Sequence, residues 1–190
     1  MRNTNKLQTK ELCLISLFIA LTAIGAFIKV PVPVVPFTLQ FLFTTLAGLL
    51  LGGKNGAIAV GGYIVLGLIG LPIFASGGGI GYIFTPSFGY LLGFCLGAYV
   101  TGKIAYSGEF SFKRILFANF AGLFFVYLIG MIYYYFICNF YLNSPIGVWT
   151  LVLYCFILAV PGDILLCFVA TILAKRLIPI IRKWFNYVFK

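Results

Sequence analysis

Asp163 is the residue whose type and position most demand a chemical account. It is one of three acidic residues in the chain and lies inside the apolar run FILAVPGDILLCFVATILAK, Phe156 to Lys175, directly after Pro161 and Gly162. The other two, Glu11 and Glu109, sit in hydrophilic surroundings. A carboxylate taken out of water costs several kcal/mol unless it is partnered, so Asp163 needs donors. Helix capping is one use. If Pro161 breaks the helix, Asp163 falls in the first turn of the next segment, where it satisfies free backbone N–H groups and complements the helix dipole. Ser or Asn would cap at lower cost. A ligand that brings its own N–H donors accounts better for the charge, and a titrating proton site in a carrier is a third use.

Catalysis is poorly served by the remaining residues. There is no histidine, and Asp163 has no second acid beside it in the sequence, so neither a zinc hydrolase nor an acid dyad can be assembled. Ser76, Ser87 and Ser144 have no base in view. The five cysteines, Cys13, Cys95, Cys138, Cys155 and Cys167, include no CxxC pair and lie in or beside apolar stretches. They read as small packing residues, not as a zinc site or a disulfide framework. The expectation is a protein that is not an enzyme and carries no cofactor or metal.

Two further stretches gather polar and conformationally unusual residues. KVPVPVVPFTLQ, Lys29 to Gln40, is stiffened by Pro31, Pro33 and Pro36, which favour an extended chain, and ends on Thr38 and Gln40. GLPIFASGGGIGYIFTPSFGY, Gly70 to Tyr90, places Gly77, Gly78, Gly79 and Gly81 within five residues. Such a backbone can adopt positive φ and approach a ligand closely. It lacks the spacing of a phosphate loop and the Lys-Ser/Thr that would follow one. Tyr82, Phe84 and Tyr90 add aromatic surface.

The elements that position these residues follow from composition. Of 190 residues, 63% are hydrophobic and 8% charged, and the mean hydropathy is +1.13. Soluble domains carry about 25% charged residues, so the chain is an integral membrane protein. One span needs roughly 20 apolar residues, and the length leaves room for six. The runs are continuously apolar rather than alternating, which favours helices over a barrel. Spans are expected at 11–29, 37–53, 56–71, 84–106, 113–137 and 150–178, as one membrane domain over 1–190. The first run is long enough to span and has no signal-peptide cleavage pattern.

Charge sets the expected orientation. Arg2, Lys6, Lys10, Lys54, Lys103, Lys113, Arg114, Lys175, Arg176, Arg182, Lys183 and Lys190 fall on one side of this six-span layout, and Lys29 alone on the other. That bias places both termini in the cytoplasm. The net charge of +10 therefore reports topology and calls for no nucleic acid. The tail AKRLIPIIRKWFNYVFK suits a lipid surface. Counting twelve residues from Lys175 at about 1.5 Å each puts Asp163 about 18 Å up the bilayer core, in its outer half.

Small residues recur at helical spacing: Gly89, Gly93 and Gly97, Ser16 and Ala20, Gly52 and Gly56, Ala118 and Gly122. Within a bundle these are packing seams. Ser16–Ala20 has the second possibility of docking a partner in the membrane, and the sequence leaves both open. No internal repeat is evident, unlike carriers built from duplicated halves.

Together GAFIKVPVPVVPFTLQ (Gly25–Gln40), GLPIFASGGGIGYIFTPSFGYLLGF (Gly70–Phe94) and PGDILL (Pro161–Leu166) resemble the biotin-specific S components of energy-coupling-factor (ECF) vitamin transporters, over nearly the whole chain. The resemblance implies an all-α bundle of six transmembrane helices with both termini cytoplasmic, capturing biotin at the outer face of the cell membrane. It implies as partners a transmembrane coupling protein, docked through Ser16 and Ala20, and two cytoplasmic ATPases. It implies that Asp163 accepts hydrogen bonds from the ureido N–H groups of biotin, which are charge-assisted and hence strong. Thr38 and Gln40 would add polar contacts, Gly77, Gly78, Gly79 and Tyr82 would close over the ligand, and Phe74 and Tyr90 would flank its rings. The family commonly has Lys three residues after this Asp, and here Leu166 stands there. Lys29 then becomes the candidate to meet the vitamin's carboxylate, unless water solvates it or the ligand preference is altered. Two other functions remain for such a sequence: a self-sufficient proton-coupled carrier using Asp163, and a membrane scaffold whose glycine faces are its working surface.

Overall fold

The computed structural model describes residues 9–30 and 37–188. Pro31, Pro33 and Pro36, and the basic residues Arg2, Lys6 and Lys190, lie outside the described residues. The chain is helical almost throughout: α1 (Thr9–Phe27), α2 (Gln40–Leu51), α3 (Gly53–Leu68), α4 (Phe88–Ala105), α5 (Phe112–Phe136), α6 (Val148–Val152) and α7 (Val160–Val188). Two-residue strands β1 (Lys29–Val30) and β2 (Phe37–Thr38) pair antiparallel, Lys29 opposite Thr38 and Val30 opposite Phe37. Segments Thr9–Phe27, Phe88–Ala105, Phe112–Tyr141 and Val148–Ile181 are each long and apolar enough to cross a bilayer. With α2 and α3 they make the expected set of six helices.

Three boundaries depart from the sequence expectation for local reasons. The expected second span began at residue 37, but Phe37 and Thr38 pair with β1, and α2 starts at Gln40. The turn into α3 needs Gly52 alone, at φ 82°, a left-handed conformation that glycine adopts without steric cost. As a result α2 and α3 have 12 and 16 residues, about 18 and 24 Å of helix at about 1.5 Å per residue, less than the roughly 30 Å of a bilayer core. The sixth span is not broken outright at Pro161. A wide turn of π type at Leu153–Ile157 is followed by α7, whose first turn holds both Pro161 and Asp163. Proline is tolerated there because that N–H has no partner within the helix.

Helix contacts run through missing side chains. A Cβ on Gly93 would lie 2.8 Å from the carbonyl oxygen of Val126, and one on Gly97 would lie 2.9 Å from the Val126 side chain and 3.1 Å from the carbonyl oxygen of Gly122. The glycine face of α4 is thus pressed against α5, backbone to backbone. A Cβ on Gly56 would stand 2.7 Å from the Cα of Gly48, and Gly48 in turn abuts the backbone of Ala98, which locks α2, α3 and α4 together. Lipid tails are as apolar as leucine, so close packing and interhelical hydrogen bonds must supply the association energy. Asn119 on α5 provides two such bonds, its Nδ2 donating to the Cys167 carbonyl at 3.1 Å and to Thr171 Oγ1 at 3.0 Å on α7.

Candidate functional site

Because α2 and α3 are short, helix is missing at the end of the bundle where β1, β2 and the 70–87 connection lie. A chamber with about 680 Å³ of space, open mouth included, lies there. Phe37, Thr38, Gln40, Phe41, Ala75, Ser76, Tyr82, Ser87, Tyr90, Leu91, Phe94, Val126, Tyr127, Cys155, Ala159 and Asp163 line it.

Three adjacent residues of α7 build one wall. Pro161 opens the helix, and Gly162 leaves room for the ring of Phe37, whose Cε2 would lie 2.7 Å from an added Cβ. Asp163 then faces the chamber, 8% exposed. Its Oδ2 accepts a hydrogen bond from the Tyr127 hydroxyl at 2.5 Å, and no other donor reaches this carboxylate among the described residues. An ionised carboxylate has about four acceptor sites, so it is far from satisfied. Capping therefore does not account for it.

The facing walls come from α4 and α2. Tyr90, also 8% exposed, is seated against Gly130 of α5, where an added Cβ would lie 2.5 Å from its ring. Its ring meets that of Tyr127 edge-on at 6.1 Å. The Tyr90 hydroxyl is buried with the Cys155 thiol beside it and no oxygen or nitrogen partner among the described residues. A thiol is a weak partner, so this hydroxyl keeps most of its capacity for a group that enters the chamber. Gln40 is held from both sides. Its Nε2 donates to the Tyr63 hydroxyl at 2.9 Å, Tyr63 donates onward to the Ile73 carbonyl at 3.0 Å, and Thr38 Oγ1 donates to Gln40 Oε1 at 3.2 Å. The amide is thereby oriented before any ligand arrives.

The structure brings Asp163, Gln40, Thr38, Tyr82 and Tyr90 to one chamber and puts the other expected residues behind or beside it. Phe74 is buried behind the wall, tilted against Tyr82 at a ring separation of 4.5 Å and edge-on to Tyr63 at 5.4 Å. Gly77 and Gly79, at φ 118° and 98°, serve a tight turn. Phe74 and Gly77 exchange backbone bonds at 2.9 and 3.3 Å, and Gly79 N donates to the Gly67 carbonyl at 2.7 Å. Gly78 packs on the Leu71 carbonyl. The turn presents Ala75 and Ser76, not the glycines, to the chamber. Lys29 is exposed, and its Nζ donates to the Ala75 carbonyl at 2.8 Å, tying the strand pair to the turn. Ser16 and Ala20 lie on the exposed face of α1, so their seam is an external one.

Tyr127 went unmarked in the sequence, although it shares a buried face of α5 with Asn119, Leu123, Val126, Gly130 and Tyr134. A hydroxyl on a helix face bound for the core needs an acceptor, and that was the available signal. Phe37, Phe41, Leu91, Phe94, Val126, Cys155 and Ala159 carried no signal, because an apolar wall residue and an apolar core residue look alike in sequence.

Known proteins bear on this chamber. The model of the BioY family matches residues 1–183. A protein of Lysinibacillus sphaericus named "Probable biotin transporter BioY" is 43% identical over 176 residues, 92% of this chain and 90% of that one. "Biotin transporter BioY" of Thermotoga maritima is 42% identical over 136 residues, 71% of this chain and 78% of its own length. A solved structure described as the S-component for biotin from an ECF-type ABC transporter superposes with a TM-score of 0.76 at 28% identity, covering 93% of this chain and 94% of that one.

Proposed function

This chain belongs to the BioY family, and from that premise we propose that it is the biotin-binding S component of an ECF-type transporter. It captures biotin in the chamber for ATP-driven import by a transmembrane coupling protein and two ATPases. It is a multi-pass membrane protein. The observation that carries the reading is the pair of under-satisfied polar groups on one cavity, the Asp163 carboxylate and the Tyr90 hydroxyl. A cyclic urea is their complement. Its two N–H groups diverge on either side of the carbonyl, so a single carboxylate takes one of them. Asp163 accepts that N–H, with Tyr127 holding its other oxygen. The Tyr90 hydroxyl donates to the urea carbonyl, and the fixed Gln40 amide, backed by Thr38, takes the second N–H. Phe37, Phe41 and Phe94 enclose the apolar rings, and Tyr82 closes the side toward the mouth. Ser16 and Ala20 form the contact with the coupling protein. The twelve-to-one distribution of basic residues orients both termini to the cytoplasm and the mouth outward.

Asp163→Asn tests the site. The variant keeps size and shape but loses the charge, and charge-assisted bonds contribute about 1.5–3 kcal/mol, so biotin affinity should fall by roughly ten- to a hundredfold. The protein should still fold and insert. Unaltered affinity in calorimetric titration would remove Asp163 from the site.

A further inference from the structure

We propose that the chamber recognises only the ring end of its ligand and takes biotin blocked at its acid, as an amide or an ester, as readily as the free acid. The inference rests on the chamber being a biotin site. Its basis is the distribution of charge around the cavity. Asp163 is the one charged residue among those lining it. Leu166, on the same face of α7 one turn further on, is buried in the apolar core. Among the described residues, the 70–87 segment that borders the chamber adds no cation, and by sequence residues 31–36 and 137–147 contain no basic residue.

Among the described residues Lys29 is thus the single positive charge at that end, and it is engaged elsewhere. Its ammonium donates to the Ala75 carbonyl, bridging the strand pair to the turn that carries Ala75 and Ser76. It is exposed, so its pull on a second anion is screened by solvent. Within the chamber, the charge nearest a bound carboxylate is Asp163, of the same sign, and like charges in a poorly screened cavity repel. A free acid therefore gains nothing from the walls, and its carboxylate reaches out to water at the mouth. An amide or methyl ester at that position loses no partner.

The test is equilibrium binding to the full-length protein in detergent or nanodiscs, comparing biotin, biotin amide and biotin methyl ester. The three dissociation constants should agree within about fivefold, whereas a charge-assisted bond to the acid would separate them by more than tenfold. A preference for the free acid above about fivefold overturns the inference and leaves biotin as the ligand. Lys29→Ala should weaken acid and amide by the same factor, through the loosened turn. Selective loss of the acid would assign Lys29 as its partner and likewise overturn the inference. No binding of biotin by the folded protein would defeat the site assignment itself, and this inference with it.

Discussion

Tyr127 shows what a single hydroxyl does in a cavity. Among the described residues it is the one donor to the Asp163 carboxylate, so it keeps a buried charge tolerable while leaving most of its acceptor capacity free for a ligand. Were the carboxylate fully paired within the protein, binding would have to break those bonds first. Tyr127→Phe removes the donor without opening a cavity. A hydrogen bond to a charged group contributes about 1.5–3 kcal/mol, and the ligand-free variant should lose stability of that order in denaturant unfolding. Unchanged stability would show that Asp163 finds its partner elsewhere. The aromatic rings set the position of these groups. Gly130 lets Tyr90 sit flat against α5, and Gly162 lets Phe37 lie on α7, so two glycines with no chemistry of their own place two walls of the site.

At the level of elements, α1 and α4 use small residues in opposite ways. Gly89, Gly93 and Gly97 of α4 are consumed inside the bundle, each against a neighbour on α5. The α1 seam is turned outward, with Leu12, Leu17, Ile24 and Phe27 also exposed around Ser16 and Ala20. A lipid-facing helix gains nothing from a small-residue stripe unless another helix comes to fill it. Ala20→Leu would fill the groove from within. Copurification with the coupling protein should be lost, while biotin affinity of the isolated chain stays as in the parent. Retained copurification would place the docking surface elsewhere. The short α2 and α3 have the complementary role. Being short, they leave the space that β1, β2 and the 70–87 turn border, so the chamber is a consequence of helix length as much as of side-chain choice.

On the scale of the whole molecule, Lys10, Lys54, Lys103, Lys113, Arg114, Lys175 and Arg176 lie at the end of the described helices away from the chamber, and Lys29 lies at the chamber end. The orientation follows from the positive-inside bias and predicts that both termini face the cytoplasm. Protease added outside sealed right-side-out vesicles should leave N- and C-terminal tags intact and remove them once the vesicles are opened; cleavage in sealed vesicles would invert the topology. Much of this was legible without coordinates. Membrane class, the number of helices, the three stretches that meet at the chamber and the need of a buried Asp163 for partners all follow from composition, run length and the cost of burying a charge, which are properties of the chain itself. What Asp163 meets was not legible. Tyr127 is 36 residues away in sequence, and only packing of α5 against α7 brings the two together. Nor could the glycine run be resolved from sequence: the same four residues suit a mobile cover or a fixed turn, and the bonds from Phe74 to Gly77 and from Gly79 to Gly67 decided for the turn. Periodicity and burial cost act locally and can be read from neighbours, whereas which polar group finds a partner, and which stays unpaired to receive a ligand, depends on distances that exist only after the helices have packed.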